Sequence, residues 1–263
     1  MKNKEKAFKV WEETYEENPL LCIKKDLSSL GENVYFKVMS SIAEHLPKET
    51  LILESGCGTG RWVFFLNDSG HLALGIDFSR SAIYLAKRYS KYTKRADEFI
   101  CGDIRYLPFR ERSFDLILSL GIIMYFADEK PLIKEYHRCL REKGLIFLSV
   151  PNSYFVPRRI IKKYLQFKRK FSEPMLIERD LNIKYLTHIL KEMNFKVIKK
   201  VHFGLGVREM NRIMFYFIKK LPVSLETRDR IKNKISVFNQ DLLKKFGVLG
   251  YLVVGVLGEK LGD

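Results

Sequence analysis

The chain has 263 residues, of which 46% are hydrophobic and 13% aromatic, and this composition excludes an intrinsically disordered protein. No apolar run reaches the roughly 18 residues that a membrane span needs, and the charged N-terminal segment MKNKEKAFKVWEE is unlike a secretory signal. The four cysteines show no C-x-x-C spacing, which argues against a zinc site and a disulfide framework. We therefore expect a single-domain cytoplasmic protein without a bound metal.

Two helices are predicted in residues 1–46. Residues 7–17 place Phe8, Trp11 and Tyr15 at a spacing of three to four, which is typical of one apolar helix face. Residues 34–46 repeat this pattern, and Pro47 ends it.

A short apolar stretch followed by three glycines, LILESGCGTG, occupies residues 51–60. Residues 51–53 are compatible with a buried strand, Glu54 closes the run, and the residues after Gly60 predict a helix. Glycine lacks Cβ, so it suits positions where the backbone turns sharply or lies against a ligand. The arrangement is typical of a nucleotide-type pocket.

The spacing of these glycines separates the loop from two common alternatives. A dinucleotide-binding turn, G-x-G-x-x-G, needs a third glycine where this chain has Arg61. A G-x-x-x-x-G-K-[ST] phosphate loop is excluded because no lysine follows Gly60. Residues 54–60 have the different pattern E-x-G-x-G-x-G.

The next predicted strand, residues 72–77, ends in Asp77, which lies 17 residues past Gly60. A carboxylate at the tip of a strand accepts hydrogen bonds from ribose hydroxyls, and Phe78 beside it is placed to lie on an adenine face. Ser79 is the predicted N-cap of a helix over residues 80–89.

Two further strands are predicted to end at the same edge. Residues 99–103 end at Asp103, where a carboxylate would accept from an adenine amino group. Residues 113–125 form a fourth strand that leaves the sheet at residues 119–121. Because the carboxyl ends of parallel strands share one edge, we expect these strand tips to border a single crevice.

The glycine motif and the four strand ends together resemble the class I S-adenosylmethionine-dependent methyltransferases, the Rossmann-like methyltransferase-domain family. The resemblance implies S-adenosyl-L-methionine as the cofactor and methyl transfer as the activity. It implies a cofactor site formed by Glu54, Gly56, Cys57, Gly58, Gly60, Asp77, Phe78, Asp103, Ile104, Ser119 and Leu120.

The stretch after the fourth strand departs from the family. Many relatives read G-V-I-E-H-F there, with an acid and a histidine that serve the acceptor or a metal, whereas residues 121–126 read GIIMYF. The departure argues against a metal-assisted reaction. It leaves Tyr125 as the nearest polar side chain and the candidate catalytic residue.

The remaining elements complete an alternating pattern. Helices are predicted over residues 128–139 and 183–193 and strands over residues 145–150, 195–203 and 251–257, with a turn at residues 141–144 and a left-handed Asn194. This alternation predicts right-handed crossovers and a mainly parallel sheet. The family resemblance implies an α/β fold with seven strands, an antiparallel last strand between the fifth and the sixth, and helices on both faces.

Positive charge is concentrated in the C-terminal part. Residues 1–150 carry 23 Lys and Arg against 21 Asp and Glu, whereas residues 151–263 carry 24 against 10. We divide the domain into a cofactor-binding core at residues 47–150, a basic insertion at residues 151–182 and a helical insertion at residues 204–247. The apolar stripes of these insertions either pack on the core or contact an anionic membrane or an apolar substrate.

The leading functional hypothesis is methyl transfer to a small-molecule or lipid-like acceptor held by these basic amphipathic insertions, with a peripheral position on an anionic membrane. The alternative is a tRNA or rRNA methyltransferase whose basic half follows phosphates and whose aromatic residues stack on bases. A third hypothesis is a cofactor-binding protein that acts as a partner or regulator without catalysis.

Overall fold

The computed structural model describes residues 35–93, 97–155, 178–205 and 251–262, and residues 159, 162–163, 224, 226–227, 229–230 and 233–234. The helix expected over residues 7–17, most of the basic insertion and the apolar stripes of the helical insertion lie outside these residues.

Seven strands form one sheet in the order β3-β2-β1-β4-β5-β7-β6. The strands are β1 (Leu51–Ser55), β2 (Leu72–Asp77), β3 (Glu98–Cys101), β4 (Phe114–Leu120), β5 (Leu140–Pro151), β6 (Phe195–Leu205) and β7 (Tyr251–Lys260). β7 pairs antiparallel with both β5 and β6, and the other pairs are parallel. The predicted fold class and the position of the last strand are therefore confirmed.

Helices alternate with these strands. They are α1 (Phe36–His45), α2 (Arg61–Asp68), α3 (Arg80–Tyr92), α4 (Lys130–Cys139) and α5 (Ile183–Glu192), with a 3-10 turn at Ile123–Tyr125. The Ser79 hydroxyl accepts a hydrogen bond from the Ala82 amide (3.0 Å) at the start of α3, which confirms the predicted N-cap. Asn194 has φ +61° directly after α5, as predicted.

The helices cover both faces of the sheet. α1, α2 and α3 contribute buried residues such as Met39, Phe64 and Leu85 to one core layer. α4 and α5 contribute Tyr136, Ile189 and others to the layer on the opposite face. The chain changes faces between β1 and β4, which are adjacent, and in open α/β sheets ligands bind in the crevice at such a point.

Two elements differ from the sequence prediction. The fourth strand ends at Leu120, and the predicted strand residues 123–125 form the 3-10 turn instead. β5 begins at Leu140 because this residue pairs with Phe114, while Leu145 pairs with Leu116. The predicted turn at residues 141–144 is thus a bulge within the β4–β5 ladder, with Lys143 at φ +60°.

None of the helices in the described part of the chain has both the length and the apolar character needed to cross a bilayer.

Candidate functional site

The loop between β1 and α2 is a tight turn in which three glycines have left-handed backbone conformations. The φ angles are +79° at Gly56, +53° at Gly58 and +81° at Gly60. The amides of Gly56 and Cys57 donate to the Ile76 carbonyl of β2 (2.8 and 3.1 Å), so the turn is attached to the neighbouring strand. L-residues rarely adopt such φ values, which explains the glycine spacing.

Two of these glycines are also required by packing inside the protein. A Cβ on Gly56 would lie 2.4 Å from Cδ1 of Ile122, and a Cβ on Gly60 would lie 2.3 Å from Cε1 of Phe99. The space freed at these positions is thus filled by side chains from the loop after β4 and from β3. The turn, β3 and the loop after β4 meet in direct contact.

Asp77, at the tip of β2, is oriented by this turn. Its side chain is buried (7% exposed), Oδ2 accepts from the Gly58 amide (2.8 Å) and Oδ1 accepts from the Ser79 amide (2.9 Å). A carboxylate has about four lone-pair positions, and these two amides use one on each oxygen. This geometry fits the ribose-binding role that the family resemblance implies.

Glu54, in β1 directly below the glycine turn, is buried (3% exposed), and its Oε2 has no hydrogen-bond partner among the described residues. Burial raises the pKa of this carboxyl to about 8, although the charge of Arg61 and the Val63 amide lower it. A buried carboxylate oxygen without a partner is costly unless a donor reaches it. The amino group of a methionine moiety is such a donor, so the site fits an adenosyl-methionine cofactor.

The residues predicted to meet the adenine lie after β2 and β3. Asp77 is the register partner of Cys101, and the Gly102 amide donates to the Asp77 carbonyl (2.9 Å). Asp103 therefore lies at the strand tip next to Asp77. Its carboxylate is partly exposed and bonded to Arg105, whereas Ile104 is buried and Phe78 is half-buried.

The two residues predicted at the end of β4 are buried or half-buried. Ser119 is fully buried, and its hydroxyl accepts from the Tyr136 hydroxyl (3.3 Å). Leu120 is half-buried.

Cys57 is buried in the glycine turn. Its burial is the main cause that raises the pKa of the thiol, and the nearby Asp77 and Glu54 charges raise it further. This shift disfavours the thiolate form of Cys57.

Tyr125 lies in the 3-10 turn after β4, and its hydroxyl donates to Oε1 of Glu178 (2.9 Å). Arg179, the next residue, donates from its amide to the Met124 carbonyl (2.9 Å) and from its guanidinium to the Phe126 carbonyl (2.7 Å) and the buried Glu129. The segment that precedes α5 is therefore fastened to the loop after β4.

Three residues near the site were not predicted from the sequence. Ile122 packs over Gly56, Glu178 pairs with Tyr125, and Tyr136 shares hydrogen bonds with Ser55 (2.6 Å) and Ser119 across the β1–β4 pair. Only Tyr136 had a sequence signal, because it lies on the buried stripe of α4 together with Leu132 and Ile133. Glu178 is far away in sequence and had none.

Within the described residues, no group of three or more His, Cys, Asp or Glu side chains is placed to hold a metal ion.

Comparisons with known proteins identify methyltransferases. The family model for a methyltransferase domain matches residues 53–148. Malonyl-[acyl-carrier protein] O-methyltransferase of Hamiltonella defensa is 28% identical over 162 residues, which are 62% of this chain and 58% of that protein. The enzyme with the same description from Priestia megaterium is 29% identical over 206 residues, 73% of each chain.

A similar solved structure is phosphoethanolamine N-methyltransferase 2 of Haemonchus contortus in complex with S-adenosyl-L-methionine. Its TM-score is 0.60 at 16% identity, with 86% of this chain and 52% of that chain covered. This similarity concerns the fold. The chain spans little more than half the length of the Hamiltonella relative, 58%.

Proposed function

Since this chain belongs to the class I, Rossmann-like S-adenosylmethionine-dependent methyltransferases, we propose that it transfers a methyl group from this cofactor to a small-molecule or lipid-like acceptor. One observation carries the donor half of the proposal. The glycine turn joins two buried carboxylates, Glu54 and Asp77, at the tips of β1 and β2, next to the point where the chain changes faces.

Each of these residues has a specific task in the proposed reaction. Asp77, held by the Gly58 and Ser79 amides, accepts from the ribose hydroxyls, and the Glu54 oxygen that lacks a partner among the described residues accepts from the amino group. Asp103 accepts from the adenine amino group. When bound, the cofactor supplies an activated methyl group on a sulfonium centre, so the protein's main contribution is to position donor and acceptor.

The acceptor is proposed to bind next to the loop after β4. This loop contacts the glycine turn through Ile122 and is fastened to residues 178–179, at the end of the basic insertion. The names of the two relatives state a malonyl group on an acyl carrier protein as the acceptor, which supports an acyl or lipid-like compound. Tyr125, bonded to Glu178, is the candidate for orienting the acceptor.

A donor-binding measurement tests the first half. We expect Asp77→Asn to weaken binding of S-adenosylhomocysteine about 10- to 100-fold, because hydrogen bonds to a charged acceptor contribute about 1.5–3 kcal/mol. Isothermal titration calorimetry measures this, with the exposed Asp128→Asn as the matched control. Equal affinity of the two variants would remove Asp77 from the site, and no binding by the unaltered chain would refute the proposed function.

A transfer assay tests the second half. The full chain is incubated with methyl-labelled cofactor and, separately, with a lipid extract, an acyl-carrier-protein fraction and bulk tRNA. We expect label in the lipid or acyl fraction. Donor binding without label in any fraction would instead support a partner or regulator without catalysis.

An RNA methyltransferase is kept as the second candidate because of the charge distribution. Residues 151–263 contain 24 basic and 10 acidic residues. They include three exposed lysines of β6, namely Lys196, Lys199 and Lys200. Such a surface also suits phosphate groups. Label in the tRNA fraction alone would favour this candidate.

A further inference from the structure

Asp103, which the proposed function assigns to the adenine amino group, is already bonded by a neighbouring side chain. Arg105 donates from Nε to Oδ1 (3.0 Å) and to Oδ2 (3.2 Å), and from Nη2 to Oδ2 (2.6 Å). The Arg105 amide donates to Oδ1 as well (3.1 Å). One residue thus supplies four hydrogen-bond contacts to this carboxylate.

These contacts fill the acceptor capacity of Asp103. A carboxylate has about four lone-pair positions, and a guanidinium matches two oxygens in one plane. An incoming amino group therefore needs a position that Arg105 occupies. Hydrogen bonding to Asp103 is also the main reason that the pKa of Arg105 is raised.

Arg105 also contacts an exposed aromatic ring while it is bonded to the carboxylate. Its guanidinium carbon lies 5.5 Å from the centroid of the Tyr106 ring, and that ring is 75% exposed. Cation–π contacts at this range are favourable at exposed sites. The Arg105 and Asp103 side chains are also about one-third exposed (30% and 35%), so a shift of the guanidinium toward Tyr106 disturbs no buried group.

We propose that Arg105 controls the adenine-binding position of the cofactor site by competing for Asp103, and that donor binding requires the guanidinium to release part of this carboxylate. Arg105 is then a positioning and selectivity residue. The inference rests on the proposed donor site, because it takes Asp103 as the group that meets the adenine amino group. When the binding-competent arrangement is only partly populated, the apparent affinity is lowered by that fraction.

A binding experiment with S-adenosylhomocysteine tests this competition. We expect Arg105→Gln and Arg105→Leu to bind the compound about two- to fivefold more tightly than the unaltered chain, since partly exposed ion pairs of this kind contribute modestly. Arg110→Gln is the matched control, because Arg110 is exposed and its substitution removes the same charge. Thermal melts verify that each variant is folded, and the glutamine variant keeps the test valid if the leucine variant is not.

A double-mutant cycle distinguishes competition from a general effect on the fold. In an Asp103→Asn background, we expect Arg105→Gln to give no gain in affinity, because the charged acceptor that both groups share is absent. Equal effects of Arg105→Gln in both backgrounds would overturn the proposal. So would unchanged or weaker binding by both Arg105 variants.

Base selectivity provides a readout that a purely structural role would not change. S-inosylhomocysteine carries a carbonyl oxygen where the adenine compound carries an amino group, and Arg105 can donate to that oxygen whereas Asp103 cannot. We expect Arg105→Leu, whose side chain has no donor, to increase the preference for S-adenosylhomocysteine over S-inosylhomocysteine. An unchanged preference would contradict the proposed role of Arg105 and leave the proposed donor site intact. Failure of the unaltered chain to bind either compound would contradict the donor site itself.

Discussion

At the scale of single residues, Glu54 and Asp77 are both buried carboxylates at neighbouring strand tips, but their surroundings differ. Asp77 receives hydrogen bonds from the Gly58 and Ser79 amides, which compensate for its burial. Glu54 has an oxygen without a partner in the described structure, and burial raises its pKa to about 8. A positively charged donor that reaches this oxygen would favour the ionised form of Glu54.

The raised pKa of Glu54 predicts a dependence of folding stability on pH. The pKa of Glu54 in the folded chain, about 8, is above its pKa of about 4.3 in the unfolded chain. The contribution of Glu54 to the free energy of unfolding is therefore complete below about pH 4.3 and is lost as the pH rises through about 8. We expect the difference in unfolding free energy between the unaltered chain and Glu54→Gln to fall by up to about 1.4 kcal/mol per pH unit between these values.

Urea unfolding without cofactor at pH 5, 6, 7 and 8 measures this difference. Glu44→Gln is the control, since Glu44 is exposed on α1. A difference that stays constant over this range would show that Glu54 is not protonated in the folded chain.

At the scale of elements, the turn that begins α2 is positioned by packing as well as by backbone conformation. Gly60 is the N-cap of α2 at φ +81°, and its α-carbon faces the ring of Phe99, which packs against Phe64 of α2 (ring centroids 5.3 Å apart). β3 and α2 thus meet at the glycine. A side chain at this position would displace Phe99 or the turn that carries the proposed cofactor site.

Gly60→Ala is expected to destabilise the protein more than Gly70→Ala. Comparing the two variants separates the cost of the left-handed backbone conformation from the cost of steric overlap. Both glycines have left-handed φ angles, +81° and +86°, which cost roughly 1–2 kcal/mol with alanine. A Cβ on Gly70 would meet only the flexible side chain of Lys48 at 3.1 Å, whereas one on Gly60 would meet Phe99 at 2.3 Å.

Overpacking adds about 1–3 kcal/mol, so we expect a difference of that size between the two variants in chemical unfolding. S-adenosylhomocysteine affinity should fall for Gly60→Ala and remain unchanged for Gly70→Ala. Equal losses of stability would mean that backbone conformation alone requires glycine at position 60.

At the scale of the whole molecule, the sheet brings together the residues of the proposed donor site from separate parts of the chain, and charge is distributed unevenly along the chain. Residues 51–60, 72–79 and 98–105 meet at the carboxyl edge of β1, β2 and β3. The excess of basic residues belongs to residues 151–263, including the exposed lysines of the edge strand β6. An anionic partner is therefore expected at the C-terminal part.

Salt dependence distinguishes the two anionic partners. If the acceptor is lipid-like, we expect binding to phosphatidylglycerol-containing vesicles to persist in part at 0.5 M salt, about the range where exposed charges are well screened, because apolar contacts resist screening. RNA held by 6–10 phosphate contacts would instead lose about 10³- to 10⁵-fold in affinity between 50 and 200 mM salt.

Cosedimentation of the full chain measures this salt dependence, with bulk tRNA at about 50 and 200 mM salt and with vesicles at the same concentrations and at about 0.5 M. The triple variant with glutamine at Lys196, Lys199 and Lys200 is the matched test of the β6 surface. Retention by tRNA alone, with a steep salt dependence, would contradict a lipid-like acceptor.

The sequence by itself determined the sheet, the order of its elements and the donor motif. Apolar runs, glycine spacing and local caps such as Ser79 depend on neighbouring residues, so a pattern in the sequence reports them directly. The positions of Asp77 and Asp103 followed because a strand tip in a parallel sheet has a known edge.

Only the tertiary structure decided which side chains share hydrogen bonds across these elements. Tyr136 bonds to Ser55 and Ser119, and Tyr125 bonds to Glu178, which is 53 residues away in the sequence. The bonding of Asp103 by Arg105 is local in sequence, but it depends on rotamers that composition does not specify. Such contacts arise from packing between distant segments and from side-chain geometry, which no local pattern encodes.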